Sequence, residues 1–281
     1  MQIQWYPGHM TKAKRMMQAD IKLIDLVIEL LDARIPLSSK NPDIDDLAKG
    51  RSRLVLLNKA DLADPEKNRE WIKYFSDMNI QAVPVDSRTR KDFGKITAAI
   101  EKACAGKKEK DLKKGITGRP VRAMVAGIPN VGKSTFINSL CKSSSAKTGN
   151  RPGVTKGKQW IRLDKNVDLL DTPGILWPKF DDERTGLNLA YIGSVNDEIL
   201  DETDLVMSLM DTIRSLYPGK LFDRYGVDEG GSTVEILEDI AVKRGCLKKG
   251  NEKDYEKAAR IVLDEFRSGR LGNITLEMPG R

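Results

Sequence analysis

The sequence predicts an α/β protein: a doubly wound, mostly parallel sheet followed by a small, all-helical domain. Three observations predict it. Through residue 171, continuous apolar runs alternate with segments whose apolar residues recur at helical spacing, the pattern of a parallel sheet covered on both faces. The glycine-rich and polar motifs stand where apolar runs end, and in such sheets ligands bind at the carboxyl ends of strands. After residue 178 the strand signals stop, which divides the chain into a sheet domain, 1–178, and a helical domain, 179–281.

Residues 11–19 predict a short basic helix. Leu26 to Leu31 reads as a buried strand ending at Asp32-Ala33-Arg34, and Arg53 to Leu57 as a second that runs straight into Asn58. Trp71, Tyr74, Phe75 and Met78 fall at i, i+3, i+4 and i+7, one apolar face of a helix. Ala82 to Val85 is a third strand, and Phe93, Ile96, Ile100 and Ala103 mark the next helix. Residues 105–120 are rich in Lys and Gly and predict an exposed connector. The strand Val121 to Ala126 then delivers a glycine-rich loop, with a helix from Lys133 onward and further strands near 157–163 and 167–170. Near the end, Tyr255, Ala258, Ala259, Val262 and Phe266 share one helix face. Lys253, Lys257, Arg260 and Arg267 share the opposite face, diluted by Asp264, and predict a surface for phosphates.

A chain of 281 residues can hold both domains. Its longest apolar runs, such as Leu54 to Leu57, fall far short of the roughly 20 residues needed to span a bilayer. Met1 to Trp5 contains no basic stretch followed by an apolar one, so a cytoplasmic protein without a membrane partner is expected. Cys104, Cys141 and Cys246 are scattered and odd in number, which fits a reducing compartment rather than a disulfide framework or a metal site. The net charge of +7 favours a polyanionic partner. Eight Lys/Arg stand against two acids in 102–122 and seven against one in 142–165, whereas 181–240 carries fifteen acids against four basic residues. The positive charge therefore gathers around the loop motifs.

Gly127 to Ser134 fits the pattern G-x-x-x-x-G-K-S, a phosphate-binding loop whose glycines let successive backbone N–H groups face phosphate oxygens. The helix beginning at Lys133 adds its positive dipole end. Asn130, Val131, Gly132, Lys133, Ser134 and Thr135 are the candidate phosphate contacts, with Lys133 reaching the β- and γ-phosphates and Ser134 a Mg²⁺ ion. Asp171-Thr172-Pro173-Gly174 follows an apolar run. Asp171 can hold the Mg²⁺ shell, and the Gly174 N–H can meet the γ-phosphate. Thr155 is the candidate switch threonine, able to ligate Mg²⁺ when a γ-phosphate is present, although Thr148 lies nearby. Asn58-Lys59-Ala60-Asp61 reads as the guanine-recognition loop. A carboxylate accepts from both N1–H and the exocyclic amine of guanine, a donor pair that adenine lacks. The Lys59 stem can lie along the base. Ser87 and Arg88, after the third strand, are the candidates for a backbone N–H to guanine O6; the usual pattern there is Ser-Ala, from which Arg88 departs.

The guanine loop thus precedes the phosphate loop, the reverse of the order in an ordinary small GTPase. The fold class becomes a circularly permuted, Ras-like P-loop GTPase domain with a helical domain behind it. The place directly after Asp171 to Gly174, where a water-orienting glutamine often stands, is Ile175. His9 is the only histidine and is the candidate for that task. The residues also leave open a GTP-dependent RNA-binding switch in which hydrolysis is not required.

Trp5 to Met10, Asp32 to Pro36, Asn58 to Asp61, Gly127 to Ser134, Pro152 to Thr155 and Asp171 to Gly174 together resemble the YlqF/RbgA group of circularly permuted GTPases, the ribosome biogenesis GTPase A type. The resemblance spans essentially the whole chain. It implies a cytoplasmic bacterial factor in late assembly of the large (50S) ribosomal subunit, with ribosomal RNA rather than DNA as the nucleic-acid partner. A monomer is expected. The resemblance also implies weak intrinsic GTP hydrolysis stimulated by the ribosomal particle. Within that family pattern His9, Lys133, Thr155 and Gly174 become the catalytic set, and Asn130 marks potassium-stimulated GTPases.

Overall fold

The computed structural model describes residues 8–140, 159–163, 165–172, 174, 176, 182–195 and 201–280, with 8–13 given as backbone. Its sheet has six strands: β1 (Leu26–Asp32), β2 (Ser52–Asn58), β3 (Gln81–Val85), β4 (Val121–Ala126), β5 (Gln159–Arg162) and β6 (Val167–Asp171). They lie in the order β3-β2-β1-β4-β6-β5. All pairings are parallel except β5 with β6, an antiparallel edge. All seven residues of β1 are buried, as a central strand covered on both faces requires.

Helices cover this sheet. α1 (Gly8–Asp20) and α2 (Pro42–Leu47) lie on one side, where Met17, Ile24, Val27 and Ile44 meet Met124 and Leu170. α3 (Pro65–Asp77) begins where the sequence chemistry puts a start. Asp64 caps it, accepting from Glu66 N at 2.8 Å, and Pro65 takes the first turn. Its Trp71 and Phe75 are fully buried. α4 (Phe93–Ala103) follows β3. The predicted connector after it is instead a helix, α5 (Ala105–Lys113), with no buried residue. Its Ala, Lys and Glu residues are strong helix formers. The i,i+4 pairs Lys107–Asp111 at 2.6 Å and Lys113–Glu109 at 2.9 Å support it where packing does not.

α6 (Lys133–Leu140) follows the glycine-rich loop. The remaining helices are α7 (Glu183–Tyr191), α8 (Glu202–Leu216), α9 (Lys220–Tyr225), α10 (Thr233–Lys243) and α11 (Tyr255–Ser268). Ser232 and Glu235 close a capping box at the start of α10. Ala258, Ala259, Val262 and Phe266 of α11 are buried, as their spacing predicts. One apolar cluster runs from Leu26 and Val125 in the sheet through Leu189 and Leu209 to Phe266. Among the described residues no helix is long and apolar enough to cross a membrane.

The chain after α11 returns to the sheet. Ile274 N donates to Leu62 O at 3.0 Å, Leu276 N to Arg34 O at 2.8 Å, and the Asn273 amide to Asp61 O at 2.8 Å. Glu277 completes this strap. Its buried carboxylate accepts from Leu37 N at 2.7 Å, Ser38 N at 3.0 Å and the Asn188 amide at 3.0 Å. Removing one acceptor leaves these donors unpaired in a dry site, at about 1–3 kcal/mol for each buried group stranded. Glu277→Ala should lower unfolding stability by roughly 3 kcal/mol, read in urea as a lower midpoint with an unchanged slope; an unchanged midpoint would remove the strap from the stability account.

Candidate nucleotide site

The candidate loops converge where β1 and β4 lie side by side, the point at which the sheet order switches direction. The glycine-rich loop leaves β4 and runs tightly against its neighbours. A Cβ on Gly127 would sit 2.7 Å from Leu30 O, and one on Gly132, whose φ is +101°, would sit 2.4 Å from the Asn58 amide nitrogen. Neither position accepts a larger residue. Val131 is buried, and Ser134 and Thr135 lie in the first turn of α6. Lys133, at the start of that helix, is 7% exposed and donates to Gly127 O at 2.9 Å and Ile128 O at 3.0 Å. Burial pulls its ammonium down to about 8 against the opposing pull of Asp171.

Asp171 ends β6 and is buried. Burial pushes its carboxyl up to about 6, with the Lys133 ammonium opposing. Its Oδ1 has no hydrogen-bond partner among the described residues. Thr172 anchors the turn through its hydroxyl, which donates to Val125 O at 2.7 Å. A Cβ on Gly174 would stand 2.8 Å from Lys133 Nζ and 3.0 Å from Pro129 N, so this segment lies directly against the phosphate loop. Among the described residues no three His, Cys, Asp or Glu side chains form a metal cluster. The orphaned, buried Asp171 oxygen, on a carboxyl that senses the Lys133 ammonium, nevertheless fits Mg²⁺, which binds through one or two carboxylates plus substrate phosphates.

The guanine side differs from its expected arrangement in one respect. Asn58 is spent on tethering. Its amide donates to Val131 O at 2.6 Å, and its oxygen accepts from Ser87 N at 3.1 Å and Ser87 Oγ at 2.5 Å. The Ser87 N–H predicted to face guanine O6 therefore goes to Asn58, and the Arg88 N–H goes to Asp86 at 3.0 Å. Lys59 has φ +57° and bridges Asn130 O at 3.0 Å and Asp32 Oδ2 at 2.9 Å. Asp61 is partly exposed and pairs with Arg88 at 2.5 Å.

The motif pattern assigned no role to three further contributions. Asp32 is fully buried, held by Arg34 at 2.8 Å and by Lys59. Burial alone would raise its carboxyl; the Arg34 guanidinium and the Lys59 ammonium outweigh burial and hold it far below the usual carboxylate range. Arg34 also stacks over the Phe266 ring at 5.2 Å. The turn after α7 docks on the phosphate loop. Ser194 Oγ donates to Pro129 O at 2.8 Å, and the Asn130 amide donates to Gly193 O at 2.6 Å. The basic face expected on α11 is largely committed to the fold. Arg267 donates to Tyr191 O at 2.9 Å and Ala190 O at 2.8 Å, Arg260 pairs with Glu202, and Lys253 pairs with Glu238. A buried strand ending in Asp-x-Arg was the one sequence signal for this network. His9 lies in the first turn of α1 by its backbone, while Thr155 and Ile175 fall outside the described residues.

The model of the 50S ribosome-binding GTPase family matches residues 122–238, a stretch that contains the phosphate loop and leaves Asn58 to Asp61 upstream. The Bacillus cereus protein "Ribosome biogenesis GTPase A" is 47% identical over 280 residues, 99% of this chain and 95% of its own length. Among solved structures, GNP-bound YlqF from Thermotoga maritima superposes with a TM-score of 0.68 at 28% identity, over 96% of this chain and 99% of its own. The GDP-bound form of that protein matches with the same TM-score. The fold is a circularly permuted P-loop GTPase with a helical C-terminal part; the chain belongs to the ribosome biogenesis GTPase A family, and its activity is hydrolysis of GTP to GDP and phosphate.

Proposed function

We propose that this GTPase is an assembly factor for the large (50S) ribosomal subunit, gripping the immature particle and its rRNA in the GTP state and leaving after particle-stimulated hydrolysis. One observation carries the reading: the phosphate loop is hydrogen-bonded to the turn after α7, through Pro129 and Asn130 to Ser194 and Gly193. A change at the γ-phosphate thus has a direct path into the helices of the domain proposed to span 179–281. The names of the relatives support a ribosomal partner, the family description supports the 50S subunit, and the net charge of +7 suits rRNA. We place the factor in the cytoplasm as a monomer.

In this reading Asp61 accepts from guanine, while Asn58 and Ser87 hold the base loop against the phosphate loop. Lys133 turns from the Gly127 and Ile128 carbonyls to the β- and γ-phosphates. Gly174, already against Lys133 and Pro129, offers its N–H to the γ-phosphate. Asp171, Ser134 and Thr155 would hold Mg²⁺, which neutralises phosphate charge that develops during transfer. Asn130 is the residue we assign to a potassium ion. Ile175 cannot orient water, so His9 takes that role when the particle brings it to the γ-phosphate.

Purified large subunits should raise GTP turnover well above the intrinsic rate. His9→Ala should abolish that stimulation with GTP affinity within about twofold of the parent, since a transition-state contact affects turnover and not ground-state binding. Stimulated turnover that survives His9→Ala would remove the histidine from catalysis, and particle release without hydrolysis would favour the binding switch. Replacing potassium by sodium should lower turnover; equal rates would dismiss the potassium site.

Lys133 supplies a pH test. Phosphate binding favours its ammonium, which burial holds at about 8 in the free protein. The charged form that binds is present below that value and is lost above it, so GDP affinity should fall as pH rises from 7 to 8.5. Lys133→Arg, whose guanidinium stays charged, should lack this slope. Equal slopes in the two proteins would show that another group titrates.

A further inference from the structure

Arg88 occupies an unusual position. Three contacts bind it to Asp86: its backbone N–H and Nε each reach Oδ1 at 3.0 Å, and Nη2 reaches Oδ2 at 3.2 Å. The same Nη2 reaches Asp61 Oδ2 at 2.5 Å. Asp86 therefore holds a guanidinium over the carboxylate that guanine takes. N1–H and the exocyclic amine of guanine need both of those oxygens, and Arg88 Nη2 holds one of them, Oδ2. The two are competitors for one acceptor. From this we infer that Arg88 is an affinity-determining residue: it must give up Asp61 before guanine can bind, and it retakes Asp61 as the base leaves. The inference rests on the reading of Asp61 as the guanine acceptor.

The Arg88 side chain is 63% exposed and Asp61 29%, so the pair is screened and contributes modestly. Its removal should therefore tighten binding by a small factor. Because related complexes differ mainly in dissociation, most of that factor should appear in the off-rate. The competition costs any base that needs Asp61 the same amount. It sets how long GDP stays and leaves the choice between guanine and adenine to the donor pair.

The test is GDP binding to the full chain, measured as equilibrium affinity and as dissociation rate. Arg88→Ala should tighten GDP about two- to fivefold at low salt, slow dissociation by a similar factor, and lose most of its advantage at high salt. In an Asp61→Asn background the same substitution should change little, because the negative charge that holds the Arg88 guanidinium is gone. Asp61→Asn by itself should weaken GDP and improve xanthosine diphosphate, which presents an acceptor where guanine presents the amine donor. If Arg88→Ala weakens GDP, Arg88 contacts the nucleotide and the competition is wrong; unchanged affinity at low salt also overturns it. If Asp61→Asn leaves GDP binding intact, the guanine reading fails and takes the proposal with it. That result is distinguishable from failure of the Arg88 inference alone.

Discussion

Asp32 is the charge around which the site is assembled. It is fully buried, and a buried carboxylate is tolerable only when it is paired and hydrogen-bonded. Its two cations reach in different directions. Arg34 extends to the C-terminal helix, where it meets the Phe266 ring and the carbonyls of Phe266 and Arg267 at 3.4 Å. Lys59 extends to Asn130 O in the phosphate loop. One strand end thereby fixes the base loop, the phosphate loop and α11 together. Loss of Asp32 would leave both cations without their carboxylate partner.

The carbonyls of the phosphate loop are committed. Val131 O goes to Asn58, Asn130 O to Lys59, Pro129 O to Ser194, and the Asn130 amide to Gly193. These bonds come from the end of β2, in the other half of the sheet, and from the turn after α7. A loop with Gly127 and Gly132 at its ends cannot hold its shape by its own propensities, and here it borrows that shape from its surroundings. A ligand that pulls on any one of these carbonyls therefore acts on more than one element.

Much of this was legible in the sequence. Strand runs such as Leu26 to Leu31, and the helical spacing of Trp71, Phe75, Ala258 and Val262, are local patterns that burial enforces. Phosphate-loop and guanine motifs are legible because their chemistry needs fixed residue types at fixed spacing. The α5 helix was hidden because lysines and a neighbouring glycine suggest solvent and turns, while its support comes from i,i+4 ion pairs. Glu277, Ser194 and Arg267 were hidden for a different reason. Their partners lie far away in sequence, and no periodicity announces a long-range hydrogen bond. The α11 basic face misled because spacing locates a charge on a helix and says nothing of the carbonyls or carboxylates that meet it.

The strand order has an evolutionary consequence. The ladders β1–β2 and β2–β3 lie within residues 26–85, and the ladders β4–β6 and β5–β6 lie within 121–171. Among the described strands a single pairing, β1 with β4, joins the two sets. Each half is a continuous piece of chain with its own strand ladder, and the halves meet along one seam. Gene rearrangement could therefore exchange their order without breaking a single ladder inside either half. Only the connectors would need to be rebuilt. The candidate nucleotide site lies on that seam, so its parts face each other whichever half is synthesised first.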